Sequence, residues 1–156
     1  MTYKTRSEAD TMQFAMRLSP MLAAGDTVLL YGDLGAGKSV LARGIARGMG
    51  VEGAMPSPTF TLLLPYVGRD GRKLYHYDLY RLSDQDEYYA AGLDEFIGGD
   101  GVAVVEWPQM AGLEPEPALE IRLSRTDADE ARLIEIDNYG VAGYDPDRLA
   151  DWRVDA

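Results

Sequence analysis

No cysteine occurs in this chain of 156 residues. That removes disulfides, thiol chemistry and cysteine-ligated zinc. Long apolar runs are missing as well. Nothing approaches the roughly 18 residues needed to span a bilayer, and Met1-Thr2-Tyr3-Lys4-Thr5-Arg6 leads into no apolar segment of a secretory signal. Internal repeats, low-complexity stretches and Ser/Gly linkers are absent too. The sequence therefore predicts one domain over 1–156, cytoplasmic and without a membrane partner, its last dozen residues a short, weakly packed helix. Positive charge is scarce: fifteen Lys and Arg face twenty-six Asp and Glu, a formal net charge of −11, and the lysines are Lys4, Lys38 and Lys73 alone. Such a chain is poorly equipped to grip DNA or RNA through its own phosphate contacts. The deficit is uneven. Residues 1–50 carry six basic and four acidic side chains, whereas 51–156 carry nine and twenty-two, which directs a polyanionic ligand to the first third.

What the chain does have is an ordinary globular composition, 46% hydrophobic, and at this length it should bury roughly 70% of its unfolded surface. Ala9, Met12, Phe14 to Met16, Leu18 and Leu22 recur at helical spacing behind a Ser7 N-cap, with Gly25-Asp26 as the stop. Thr27 to Tyr31 is a continuous apolar, β-rich run, as expected of a strand buried on both faces. A glycine-rich turn and a helix from about Lys38 to Met49 follow, then a proline-containing loop over 55–61. Strands are predicted over 62–67 and 73–80 around a Gly68-Arg69-Asp70-Gly71 turn. A short helix starts at a Ser83-x-x-Asp86 capping box and ends at Gly92. Residues 101–106 read as a second buried strand, and 118–123 and 131–136 as alternating strands at or near a sheet edge. The fold class expected is α/β, a P-loop NTPase-like three-layer fold with a central mixed, mostly parallel sheet flanked by helices.

The strongest motif is Gly32-Asp33-Leu34-Gly35-Ala36-Gly37-Lys38-Ser39, which fits G-x-x-x-x-G-K-[ST] between that strand and that helix. Glycines let successive backbone N–H groups turn inward around phosphate oxygens, and the helix adds its positive end to the same place. Lys38 would bridge the β- and γ-phosphates and the Ser39 hydroxyl would ligate Mg²⁺. ATP or ADP with Mg²⁺ is the expected ligand, held by Gly32 to Ser39 and Val40. Such a site needs an acid at a neighbouring strand end. Glu106, after Val102 to Val105, is the first candidate and Asp78, after Leu74 to Tyr77, the second. His76, Asp78 and Tyr80 share one strand face; the lone His76 is more in keeping with a hydrogen-bonded sheet residue than with a base. Thr59, in Pro56-Ser57-Pro58-Thr59-Phe60, sits where a γ-phosphate-sensing loop would lie, though a rigid proline turn reads equally well. Trp107 is either a partner anchor or packing.

GDLGAGKS, SPTF, HYDLYRL and VVEWP, in this order, resemble the TsaE-type ATPases of bacterial tRNA threonylcarbamoyladenosine biosynthesis, from about Thr11 to Pro108. The resemblance implies a weak ATPase acting with the TsaD and TsaB subunits, which transfer threonylcarbamoyl to adenosine 37 of tRNAs reading ANN codons; tRNA would be handled mainly by those partners. It assigns Lys38 and Ser39 to phosphate and Mg²⁺, Glu106 to the second Mg²⁺ position and Asp78 to the essential aspartate of DLYR. Thr59 becomes the switch threonine, Trp107 the tryptophan after the acid, and Thr11 and, more loosely, Arg132 neighbours of the nucleotide. Two departures stand out: Ser39-Val40 replaces the usual Thr-Thr, and Gln109-Met110 replaces a common Glu-Arg pair. Other classes compatible with the motif are a small phosphotransferase of nucleoside-kinase type, which would need a lid richer in arginine than Arg69 and Arg72 offer, and a nucleotide-gated binding module. A guanine-reading N/T-K-x-D segment is absent.

Overall fold

The computed structural model describes residues 1–56, 58 and 61–154. Strands β1 (Thr2–Thr5), β2 (Thr27–Tyr31), β3 (Leu63–Val67), β4 (Lys73–Asp78), β5 (Val102–Glu106), β6 (Ala118–Arg125) and β7 (Arg132–Tyr139) form one sheet. Its order is β1-β7-β6-β2-β5-β4-β3. Helix α1 (Glu8–Leu18) and helix α2 (Lys38–Gly48) cover one face, and the short α3 (Gln85–Ala90) lies on the other. The alternation of β-strand side chains sorts the core. Val28, Leu30, Val102 and Val104 pack with Phe14, Leu18, Leu41 and Ile45 of α1 and α2. Leu29, Tyr77, Ala103 and Val105 pack with Tyr88 of α3 and with Leu82, Leu93 and Ala111.

The four central strands, β6, β2, β5 and β4, run parallel, whereas β1–β7, β6–β7 and β3–β4 are antiparallel. The sheet is therefore mixed, as expected, with five of its seven strands running in one direction and its antiparallel pairings confined to the flanks. Short connections can join only antiparallel neighbours, and both flanks are built from such hairpins. The hairpin predicted around residues 68–71 forms between β3 and β4. The strands read from 118 and 131 lie near the edge, as expected: β7 is second from it, covered by β1, and β6 is third, against β2. Four residues, Thr-Tyr-Lys-Thr, are too short to show a period, so β1 was invisible to pattern, yet its Tyr3 is fully buried.

Ser7 caps α1 as predicted, accepting from Asp10 N at 3.0 Å. The helix stops at Leu18, where a 3-10 turn over Ser19–Met21 takes up Pro20, instead of continuing to Gly25. The α3 cap is Asp84, one residue after the predicted Ser83; Asp84 accepts from Glu87 N at 2.8 Å, and Glu87 in turn accepts from Ser83 N at 2.9 Å. Within the final dozen residues, expected to pack weakly, two described side chains reach the core. Pro146–Trp152 is a pair of short 3-10 turns joined at Leu149, whose own backbone is not helical (φ −107°). Leu149 is fully buried, and Trp152 meets Phe14 edge-on at 5.4 Å while its indole N–H donates to Asp10 at 2.8 Å. Among the described residues no helix is long and apolar enough to cross a membrane.

What matters for the site is register. Leu30 on β2 and Asp78 on β4 both pair with Glu106 on β5, so three parallel strands end side by side, at the loop leading into α2.

Candidate functional site

Residues 32–37 join β2 to α2, and two glycines make the join possible. Gly37, the N-cap of α2, has φ +106°, a left-handed conformation, and offers no side-chain acceptor to the first helix amides. Those N–H groups are the orphan donors on which an anion can sit, reinforced by the helix dipole. A Cβ at Gly32 would lie 2.7 Å from the Leu123 carbonyl oxygen, so no larger residue fits there without moving β6. The loop is closed by Ala36 N donating to Asp33 O at 3.0 Å.

Lys38 is buried and folds back, its ammonium donating to Gly32 O and lying 3.5 Å from the centre of the Trp107 ring. Burial pushes its pKa down, while the negative charges of Glu106, Asp78 and Asp33 oppose that shift. Trp107 has a left-handed backbone, φ +59°, and its ring leans on Tyr80 at 4.9 Å. Such a conformation costs a non-glycine residue about 1–2 kcal/mol, set here against the ring's contacts with Lys38 and Tyr80. Trp107 thus faces the cavity, beside Lys38.

One residue further along α2, Ser39 Oγ donates to Glu106 Oε1 at 3.0 Å. The other carboxylate oxygen, Oε2, lies 2.7 Å from His76 Nε2. Glu106, His76 and Asp78 are all buried, and Asp78 Oδ1 accepts from Tyr80 N at 3.1 Å. Lys38, Ser39, Asp78, Glu106 and Trp107 border one cavity of about 370 Å³, together with Thr11, Leu34, Gly35, Gly37 and Val40. Thr11 hydrogen-bonds Thr5 at 2.6 Å, which ties the floor of that cavity to β1. Gly32, Asp33 and Ala36 instead border a second cavity on the far side of the loop. Thr59 lies outside the described residues.

Arg132, only loosely placed by sequence, borders the main cavity and grips the loop: Nε donates to Ala36 O at 2.8 Å and Nη2 to Gly35 O at 3.4 Å. Arg125, which sequence reasoning missed, donates to Leu34 O at 3.0 Å. Both come from the β6–β7 hairpin, 91 to 97 positions away in the chain, a proximity that no local pattern records. Removing the Arg132 fork should loosen the loop. Arg132→Ala is expected to weaken ADP binding about tenfold, read by fluorescence titration. Arg132→Lys should recover little, because an ammonium cannot make the paired bonds.

Four carboxylates border the cavity, Glu8, Asp78, Glu106 and Glu130, against the cations Lys38 and Arg132. A polyphosphate entering alone would meet a wall with more negative than positive charge, so this lining suits a polyphosphate carried with a divalent cation. The hydroxyl and carboxylate oxygens of Ser39 and Glu106 are hard donors of the kind Mg²⁺ prefers. Among the described residues no three His, Cys, Asp or Glu side chains converge.

The family described as threonylcarbamoyl adenosine biosynthesis protein TsaE matches the chain over residues 5–134. Among curated proteins, the chain is 39% identical over 133 residues to the tRNA threonylcarbamoyladenosine biosynthesis protein TsaE of Treponema pallidum, covering 85% of this chain and 96% of that protein. It is 42% identical over 135 residues to the protein of the same description from Streptomyces coelicolor, covering 82% and 90%. Among solved structures, the crystal structure of Bacillus subtilis YdiB superimposes with a TM-score of 0.74 at 31% identity, covering 97% of this chain and 91% of that one.

Proposed function

The chain belongs to the TsaE family, and from that premise we propose that it is a Mg²⁺-dependent ATPase of the P-loop class, working in the cytoplasm with TsaD and TsaB in forming N6-threonylcarbamoyladenosine at tRNA position 37. The observation that carries the reading is the Ser39–Glu106 hydrogen bond of 3.0 Å, one residue after Lys38, between a half-buried hydroxyl and a buried carboxylate. It puts a hydroxyl, a carboxylate and an ammonium at the mouth of a glycine-rich loop, the three groups that hold a metal-bound polyphosphate.

Lys38 leaves Gly32 O for the β- and γ-phosphate oxygens, and the unpaired amides at the start of α2 take the rest of the phosphate surface. Ser39 and Glu106, with Asp78 beside them, are the residues that would hold Mg²⁺. The ion, when bound, neutralises charge developing on the phosphate oxygens. Asp78 orients the attacking water from the end of β4, a task that Thr59 is equally suited to by its place in the sequence. Arg125 and Arg132 are both engaged with the loop carbonyls, so a cation aimed at the leaving phosphate would come from a partner. That division fits slow turnover alone and faster turnover in the complex.

Phosphate release from ATP should therefore be slow for the isolated chain and rise about tenfold or more with TsaD and TsaB. Transfer of phosphate to a nucleoside would replace this reading with a phosphotransferase. Nucleotide-dependent capture of the partners without turnover would replace it with a nucleotide-gated binding module.

A further inference from the structure

The only polar contact of the His76 side chain among the described residues is with Glu106. The ring is buried, and its other nitrogen, Nδ1, has no hydrogen-bond partner. A histidine kept to satisfy the sheet would ordinarily be paired at both nitrogens. The arrangement is set by β-register: His76 pairs with Val104 and Asp78 with Glu106, so His76 and Glu106 sit diagonally on the α2 side of adjacent parallel strands. A carboxylate that serves a cation is ionised and can only accept; in that state Nε2 carries the hydrogen and donates to Oε2, 2.7 Å away.

The two oxygens of Glu106 are thereby given different roles. Oε2 is held by a ring that burial keeps from turning, whereas Oε1 faces Ser39, at 3.0 Å from its hydroxyl. Ser39 is exposed to the cavity and can reorient; His76 is not among the residues bordering it. A carboxylate held this way presents one oxygen to a cation and cannot swing round to present two. Mg²⁺, with its strict octahedron and retained waters, suits one carboxylate oxygen; Ca²⁺, with six to eight ligands, readily takes both.

The geometry points to His76 as a positioning residue that makes Glu106 a one-oxygen ligand and so tunes the site toward Mg²⁺ over Ca²⁺. This rests on the proposed metal-nucleotide reading of the same cavity. Partners that fix a metal ligand from behind typically change metal affinity 10–100-fold when removed.

The test measures fluorescent ADP affinity without metal, with Mg²⁺ and with Ca²⁺, for the full-length chain and three variants. His76→Gln keeps an N–H donor with the reach of Nε2. His76→Asn keeps the amide but falls short, and His76→Leu removes the donor. Metal-free ADP affinity should be the same throughout, because the phosphate loop is untouched. The Mg²⁺-dependent gain should fall about tenfold or more in His76→Asn and His76→Leu, with Ca²⁺ becoming as effective as Mg²⁺, and should return in His76→Gln. If His76→Leu does not fold, the Asn and Gln pair, equal in polarity and different in reach, decides alone. Equal Mg²⁺ gains in Asn, Gln and wild type would overturn the assignment of His76 while leaving the nucleotide site standing. A wild-type protein whose ADP affinity ignores both metals would overturn the metal-nucleotide reading itself, and the inference with it.

Discussion

Lys38→Met should lose ADP and ATP affinity by about two orders of magnitude or more and show no measurable hydrolysis, without losing stability. The first half follows from position. Lys38 is the sole lysine bordering the cavity, and among the cavity's described residues Arg132 is the other cation. The second half follows from burial, because a buried ammonium is costly even when partly paired. Burial lowers the pKa of Lys38 in the folded chain, so folding disfavours its charged form. Below both the folded and the unfolded values the penalty is fully present; it falls as pH rises from the lowered folded value and is gone above the unfolded one. Methionine has similar length and no charge. Its thermal midpoint should equal or exceed wild type near neutrality, the difference narrowing as the solution becomes alkaline. Calorimetry across pH, beside equilibrium ADP titration, checks both halves. A marked loss of stability would mean that the bond from Lys38 to Gly32 O holds the loop together even without ligand.

Glu106→Gln is expected to separate binding from turnover. The amide keeps the size of the carboxylate and can still accept from Ser39, but it brings no negative charge to a cation. Mg²⁺-dependent hydrolysis should fall about 10²- to 10³-fold, the scale seen when one electrostatic group is taken from a reacting centre. ADP binding without metal should hold or tighten, because one carboxylate of the cavity wall has been neutralised. Quantifying phosphate release at saturating ATP, together with ADP affinity with and without Mg²⁺, reads both effects. Wild-type turnover in this variant would remove Glu106 from the metal site and leave Asp78 as the acid to examine.

Much of this was legible before any coordinates. The strand at Thr27–Tyr31, the helix at Lys38, the hairpin of β3 and β4 and the strand ending in Glu106 all announce themselves through short-range pattern. Apolar runs, turn glycines and a nucleotide-type motif are local signals. So was the placing of Asp78 and Glu106 at the ends of their strands, beside the loop. The missed features have a common cause. β1 is too short for periodicity, and the final 3-10 turns, broken at Leu149, are too short and irregular to leave a helical pattern. Arg125 and Arg132 reach the loop only because β6 and β7 form a hairpin next to β2. The one-residue error at Asp84 arose because Ser83 and Asp84 are both good caps, and it is Asp84 that accepts from Glu87 N.

Sequence alone determined the chemistry available: no thiols, one histidine, three lysines of which one lies in a glycine-rich loop, and an acidic excess confined to the chain after residue 50. Those properties are sums and near-neighbour spacings, complete once the order of residues is known. The tertiary structure decided which of these groups meet. Register on parallel strands set Glu106 between Ser39 and His76, and sheet order brought two distant arginines onto the loop. Whether a carboxylate shows a cation one oxygen or two depends on what holds it from behind, and that neighbour sits 30 residues away in the chain.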